Sequence, residues 1–570
     1  MSENKKIKVL IHSNYSRMVT GFGKNMKNVL LSLFNDPDIE VIEASNGVYY
    51  GSDKRTPWKS FGTAPIDQSI INQINADPSK TQAAGYGFYT IDKIIEDNDI
   101  DVYLGIEDIW AFREFEKKPW WNKIPKIIWT TIDSVPILPE ARFFSDNTDK
   151  FLVWASFAEE ELRKIGHKNV ETLHGAVDYS NFKPLENRLE IRNKFSITDE
   201  FVIGFVFKNQ LRKSVPNILE GFRIFKEKNP EAKAKLLLHT DWSDRANGWD
   251  ILRFIDEKKM DINDFLASYV CHKCGNYFIY KYIGEEKDCP ACGCSKSVYT
   301  KTSAIGVSEE QLNEIYNCMD VYCHPFTSGG QELPIQEAKA AGLITLVTSY
   351  SCGTDSCYEH QGGIPLDWSE YREPNTQFVK ATTCPDSIAN NLERVFKMEQ
   401  SEKKAILDNG QKYIKEKFCV EKIVNRLKEI IIEAKTNFIP KQNIEENQQQ
   451  ILSFEDLLDK DDFEKRIAVV IPQSENDVYL VNGLLENIKK TYPQDNIYFI
   501  TKPEYFDLVE DNPYIHKLIP YQDGVDNSFL LEGRSNHKGY FKIAFLPHST
   551  TQKFLSYLHN GKDIIQFELE

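Results

Sequence analysis

Four cysteines carry the sharpest chemical signal in this sequence. Cys271-x-x-Cys274 and Cys289-x-x-Cys292 stand fourteen residues apart, the spacing at which two knuckles bring four thiolates into a tetrahedron around zinc. Four protein ligands leave no open position, so the expectation is a structural ion, not a catalytic one. Cys294 is a spare that could replace Cys292. Lys208 and Lys213, five apart after a strand-like run, suit a diphosphate, because each is a point charge that offsets phosphate charge as a leaving group departs. A solvated basic turn is the plain alternative. Gly329 and Gly330 precede a helix start, where backbone N–H groups can face a phosphate. Glu332 and Glu337 at that end could accept hydrogen bonds from sugar hydroxyls, although an ordinary βαβ unit with two solvated glutamates reads the same way.

These residues need elements to place them. Val321-Tyr322-Cys323 is a short apolar run and Leu343–Thr348 another; between them Thr327–Gly330 breaks regular structure, Pro334 suits a first helical turn, Glu337–Ala341 favour helix and Gly342 stops it. The predicted order is strand, loop, helix, strand. Lys8–His12 predicts a first strand, Thr20–Gly23 a glycine loop, and Met26, Val29, Leu30 and Leu33 a helix over Lys24–Leu33. Gly21 and Gly23 permit close approach of a ligand or form a plain tight turn. Val41–Ala44, Val102–Gly105, Lys126–Thr131 and Phe151–Ala155 continue the strand series, and Phe201–Phe207 opens a second one. Such alternation argues for parallel sheets, whose ligands sit at the carboxyl ends of strands, where Asp108 and Asp133 fall. Ser308-Glu309-Glu310-Gln311 is a capping box. Between the cysteine pairs, Tyr277, Phe278, Ile279, Tyr280, Tyr282 and Ile283 suit a hairpin.

The stretch Gly329-Gly330-Gln331-Glu332-Leu333-Pro334-Ile335-Gln336-Glu337-Ala338-Lys339-Ala340-Ala341-Gly342 resembles the donor motif of family 4 glycosyltransferases, E-G-F-G-L-P-x-x-E-A-x-A-x-G. The match is good from Leu333 onward, while Gly329 stands where the family has its first glutamate. The resemblance implies that Glu337 holds a nucleotide ribose, that Lys208 and Lys213 occupy the family's arginine and lysine positions, and that Gly21, Phe22 and Gly23 face the donor. It places Gly329, Gly330, Gln331, Glu332 and Leu333 at the donor as well. Asp133-Ser134-Val135-Pro136 resembles the family's I-D-x-x-P turn, which implies that Asp133 orients or deprotonates an acceptor hydroxyl; an aspartate capping the next turn is the alternative. Leu173–Asp178 and Phe182-Lys183-Pro184 resemble its H-G-V-D-x-x-x-F-x-P junction, with His174 as a hinge residue. The implied fold is α/β of the GT-B type: two Rossmann-like domains facing a cleft, over residues 1–185 (acceptor) and 186–435 (donor), interrupted by a zinc ribbon at 268–298. The implied reaction moves a sugar from a nucleoside diphosphate sugar to a hydroxyl with retention, without a catalytic metal. After a polar linker at 436–464, residues 465–570 resemble the first half of family 9, heptosyltransferase-like enzymes, in P-Q-S-E-N-D-V and T-K-P-E-Y-x-D-L-V-E-D-N-P-Y-I.

At 570 residues, with 41% apolar side chains, the chain exceeds one hydrophobic core. Lys plus Arg number 69 against 85 for Asp plus Glu, a net charge of −16. That balance opposes a general nucleic-acid binder. The amino-terminal stretch lacks a signal-peptide pattern and no run is long enough to span a bilayer, so a cytoplasmic enzyme with metal-bound or free thiols is expected. Two rivals remain: a transferase acting on hydroxymethylated bases of viral DNA, and a non-catalytic scaffold with a degenerate cleft, motivated by Gly329.

Overall fold

The computed structural model describes residues 5–52, 55–77, 80–244, 248–300, 305–440, 457–459, 461–462, 465–472, 474–521, 540–548, 553–559 and 564–569. Two compact units divide the chain, Met1–Gln442 and Asn443–Glu570. Eight strands build the first sheet: β1 (Ile7–Asn14), β2 (Ile39–Tyr49), β3 (Gly51–Ser52), β4 (Lys59–Ala64), β5 (Val102–Gly105), β6 (Lys126–Thr130), β7 (Lys150–Val153) and β8 (Glu171–Thr172). Their spatial order is β3-β4-β2-β1-β5-β6-β7-β8, parallel throughout except β3 against β4. Successive side chains alternate between faces: Val9 and Ile11 pack with the helix residues Val29 and Leu30 on one side, Leu10 with Ile94 and Phe112 on the other. Two buried faces explain why these strands read as unbroken apolar runs.

The second lobe repeats the plan. Strands β9 (Phe201–Val206), β10 (Ala234–His239), β11 (Phe265–Cys271), β12 (Tyr277–Tyr280), β13 (Val298–Thr300), β14 (Val321–His324), β15 (Thr345–Thr348) and β16 (Gly363–Leu366) form one sheet, ordered β12-β11-β10-β9-β14-β15-β16 with β13 also on β11. From β11 to β16 the strands run parallel, while β12 and β13 pair antiparallel with β11. The cysteine-rich insertion therefore grows out of the lobe's own sheet. Pro334 sits in the first turn of the Leu333–Ala340 helix, and Gly342 follows it at φ +84°, as the breaker pattern predicts. Ser308 and Gln311 close the expected capping box on the Glu309–Asn317 helix.

One early element differs. The helix after β1 spans Gly21–Leu33, so Gly21 and Gly23 form its first turn, with Thr20 accepting from the Gly23 N–H at 3.0 Å. A Cβ on Gly23 would lie 2.5 Å from the Met18 carbonyl oxygen, so the glycine allows the chain to fold back on its own cap. The last helix of this unit, Val420–Asn437, returns to the first lobe, where Ile423, Leu427, Ile430 and Ile431 join the cluster around Val9. Lys428 fastens it to Asp36 and Asp38 at 2.8 and 2.7 Å. His174 stacks on Phe418 with ring centroids 4.3 Å apart, and the Val177 N–H donates to the Phe418 carbonyl at 2.8 Å. Both crossings between lobes thus lie side by side.

The second unit carries β17 (Arg466–Val470), β18 (Asn496–Thr501), β19 (Ile515–Pro520), β20 (Ile543–His548), β21 (Lys553–His559) and β22 (Ile564–Leu569), ordered β19-β18-β17-β20-β21-β22. The first four in that order run parallel, the Lys553–His559 strand pairs antiparallel with Ile543–His548, and Ile564–Leu569 pairs antiparallel with Lys553–His559. Two helices, Glu475–Asn482 and Leu485–Thr491, follow the Arg466–Val470 strand and are separated at Gly483. Most of the polar linker at 436–464 lies outside the described residues. No described helix is long and apolar enough to cross a membrane.

Candidate functional site

The loop after β14 reaches the first lobe. A Cβ on Gly330 would lie 2.2 Å from the Thr131 Cβ, so only glycine permits this approach. Behind the loop, Glu332 is 4% exposed and pairs with Arg212, Lys213 and the Nε2 of His324, the last at 3.3 Å. Both cations come from the short turn Leu211–Lys213 after β9, which Ser214 closes in the left-handed region at φ +46°. The Thr327 N–H, donating to the Arg212 carbonyl at 2.8 Å, ties that turn to the glycine loop. Burial alone would raise the Glu332 carboxyl, but Arg212 and Lys213 hold it well below the usual carboxylate range. Burial and the neighbouring Arg212 push Lys213 down to about 8, against the pull of Glu332.

Glu337 lies one turn further along the helix, equally buried. Its carboxylate accepts from Lys24 of the first lobe at 2.7 Å and from the Tyr316 hydroxyl at 2.9 Å. Gln331 spans the hinge: its Oε1 accepts from the Gly175 N–H at 2.6 Å and its Nε2 donates to the Gly175 carbonyl at 3.0 Å. Leu333 is buried and faces Gly21, whose Cβ position is 3.8 Å from the Leu333 Cδ1. Phe22 turns inward and packs edge-on against Trp154, centroids 5.1 Å apart. Lys208 is exposed and stands outside the Glu332 cluster.

Asp133 projects from the first lobe into the same crevice with its side chain 40% exposed. The Ser328 hydroxyl donates to it at 3.3 Å, and Lys380 lies 3.8 Å away. Ser351 donates to the Asp133 carbonyl at 2.6 Å. Asp108 accepts from the Thr131 hydroxyl, and burial with the charge of Asp133 raises its carboxyl. Next to it Glu107 is almost fully buried and accepts from Asn46 at 3.1 Å; burial, reinforced by Asp108, pushes it up to about 8. His12, hydrogen bonded to Tyr103 and Asn46 at 2.8 Å each, is driven by burial down to about 4 and is a neutral member of the network. The two lobes therefore face each other with different characters: paired cations and acids on the second, Asp133 in front of buried carboxyls of raised pKa on the first.

Two solved structures share this two-lobe arrangement. A glycosyltransferase from Rickettsia africae ESF-5 aligns over 76% of this chain and 100% of its own, at 13% identity and a TM-score of 0.51. Sucrose-phosphate synthase from Thermosynechococcus elongatus aligns over 75% and 99%, at 12% identity and a TM-score of 0.51. The fold is GT-B. No protein family and no curated protein sequence matches the chain.

Within this GT-B frame, sequence spacing singled out Lys213, Glu332 and Glu337, and the structure gathers all three at one helix start. It adds Arg212, whose place beside Lys213 in the same turn was the available signal. Lys24 follows directly on Gly23. Tyr316, Lys380 and Glu107 reach the crevice only through tertiary packing and leave no local mark in the sequence. The cysteine quartet forms a separate centre: Cys271 and Cys292 sulfurs are 3.8 Å apart, Cys274 and Cys289 sulfurs 3.7 Å, and all four lie within 4.8 Å of one another. Tetrahedral thiolates at a Zn–S distance of about 2.3 Å stand about 3.8 Å apart, so the four residues fit a zinc ion. Cys294 stays outside that quartet.

Proposed function

We propose that the chain is a glycosyltransferase of the family 4 type, moving a sugar from a nucleoside diphosphate sugar to an acceptor hydroxyl with retention of configuration. The observation that carries this reading is the Arg212–Lys213–Glu332 cluster at the start of the Leu333–Ala340 helix, opposite Asp133. Two cations against one carboxylate leave net positive charge beside glycine-loop amides, which favours a departing diphosphate. In this account Glu337 binds the ribose hydroxyls and Glu332, held ionised, contacts the sugar while keeping Lys213 and Arg212 in place. Gln331 and Leu333 shape the loop that meets the donor. Gly21 keeps the first lobe close to Leu333, while Phe22 and Gly23 support that turn from behind. Asp133 orients the acceptor hydroxyl, with the Ser328 hydroxyl and the Lys380 ammonium beside it.

The exposed Asp133 carboxylate, together with the net charge of −16, favours an uncharged hydroxyl acceptor such as a glycan and disfavours duplex DNA, whose phosphates it repels. The cation pair and both glutamates in one crevice also weigh against a degenerate scaffold. Zinc, bound by Cys271, Cys274, Cys289 and Cys292, plays a structural part. Residues 465–570 act as an accessory α/β unit of the family 9 type. Calorimetry with UDP-glucose, GDP-mannose and related donors, repeated on Lys213→Ala and Glu337→Ala, tests the reading: binding of at least one donor that both substitutions weaken supports it, and no binding by the folded wild-type chain rejects it.

A further inference from the structure

The cysteine centre and the donor site share one helix. Gln311, in the first turn of the Glu309–Asn317 helix, donates from its Nε2 to the Gly275 carbonyl at 2.9 Å, the residue directly after Cys274 in the first knuckle. Tyr277, on β12 inside the ribbon, donates its hydroxyl hydrogen to Glu314 of the same helix. Two residues beyond Glu314, Tyr316 donates to Glu337 at 2.9 Å. From Gln311 to Tyr316 the helix advances only about 7.5 Å. Glu309 at the start of the helix meets Lys27 of the first lobe at 3.1 Å and Asn181 of the hinge at 2.7 Å. Cys271 and Cys289 are buried in the second lobe's hydrophobic core, and Tyr277 and Ile279 lie in the cluster that holds Tyr316 and Leu333. The ribbon is thus packed into the lobe at the back of the helix that carries Tyr316.

We propose that the metal-bound ribbon is a brace for Glu337: zinc fixes the first knuckle and β12, these fix the Glu309–Asn317 helix, and Tyr316 then orients the Glu337 carboxylate. Tyr316 and Gln311 are positioning residues, and zinc occupancy regulates donor affinity through them. This rests on the reading of Glu337 as the ribose ligand for its consequence, but the mechanical link stands apart from it. Two readouts separate the two. Hydrogen exchange by mass spectrometry on the full chain, before and after zinc removal by chelation, reports the brace; titration with UDP and GDP reports the consequence. Zinc-depleted protein is expected to lose protection over residues 309–317 and 333–340 while β6 keeps its own, and to bind nucleoside diphosphate about tenfold more weakly, the cost of one lost hydrogen bond to a charged group. A Gln311→Glu, Tyr277→Phe double variant, which keeps all four cysteines and the capping acceptor at position 311, should reproduce both changes with zinc content unaltered, and it decides the matter if chelation unfolds the chain. Tyr316→Phe should weaken nucleotide binding without changing protection over 309–317. Unchanged protection over 309–317 and 333–340 in the double variant overturns the brace. Changed protection with no nucleotide binding, even by zinc-loaded wild type, leaves the brace standing and removes the ribose reading instead.

Discussion

Replacing Glu332 by alanine probes the centre of the site in a way that burial makes quantitative. Glu332 and Lys213 side chains are each 4% exposed, whereas Arg212 is 41% exposed and can be solvated in place. Removing the carboxylate therefore strands one buried ammonium, a loss of about 3–5 kcal/mol for breaking a buried pair. Spread over a lobe of roughly 250 residues, at about 2 °C per kcal/mol, the thermal midpoint should fall by roughly 6–10 °C. The loss must also depend on pH. Lys213 titrates near 8 in the folded protein against 10.5 when unfolded, so the unfolded chain binds more protons between those values and stability rises with pH there. Without Glu332 the lysine pKa falls further, that rise begins at lower pH, and the gap between variant and wild type narrows. Thermal melts followed by circular dichroism at pH 6.5 and 9 measure this. A midpoint within about 1 °C of wild type, or a deficit equal at both pH values, would refute the claim that Glu332 compensates a buried lysine.

Other consequences follow from single contacts. Glu107 titrates near 8 when folded and 4.5 in its ordinary state, so folding takes up a proton and stability falls as pH rises from about 4.5 through 8; at about 1.4 kcal/mol per pKa unit the window is worth up to about 5 kcal/mol. Glu107→Gln should flatten that part of the slope in urea melts at pH 5.5 and 8.5, and parallel slopes would contradict it. Gly330→Ala places a methyl group inside contact distance of Thr131; small-angle scattering should show a larger radius of gyration for the Met1–Gln442 unit expressed within the full chain, with transfer lost, and an unchanged radius with full transfer would contradict it. Lys208→Ala, at an exposed position, should change donor affinity less than threefold, while Arg212→Ala weakens it at least tenfold, since a hydrogen bond to a charged group is worth about 1.5–3 kcal/mol.

The elements that stop and start helices were readable because their causes are local. Pro334 and Gly342 act through their own backbone, Ser308 and Gln311 through side chains that reach backbone N–H groups three residues away, and each stands where its chemistry requires. The cysteine quartet was readable for the same reason: knuckle spacing fixes which sulfurs can meet. That the central strands run parallel followed from apolar runs separated by helices; their spatial order did not. Charge placement was less legible. Lys208 and Lys213 share spacing and type, yet the turn at Leu211–Lys213, closed by Ser214, sends Arg212 and Lys213 inward and leaves Lys208 in solvent. The glycines at 21 and 23 read as a loop because their φ freedom is visible and the Thr20 cap that draws them into a helix is not. Lys24 and Tyr316 converge on Glu337 from positions 313 and 21 residues away in sequence, a relation that no local pattern encodes.

In the proposed function, the crevice between the lobes binds a nucleoside diphosphate sugar through the second lobe's cations and Glu337. Release of nucleoside diphosphate from a donor panel, measured for wild type and for Lys213→Ala and Glu337→Ala proteins of confirmed folding, tests it most directly. Wild type should release nucleoside diphosphate from at least one donor, at a rate that falls by at least a factor of ten in both variants. Release that both variants sustain at the wild-type rate, or none from any donor, contradicts it.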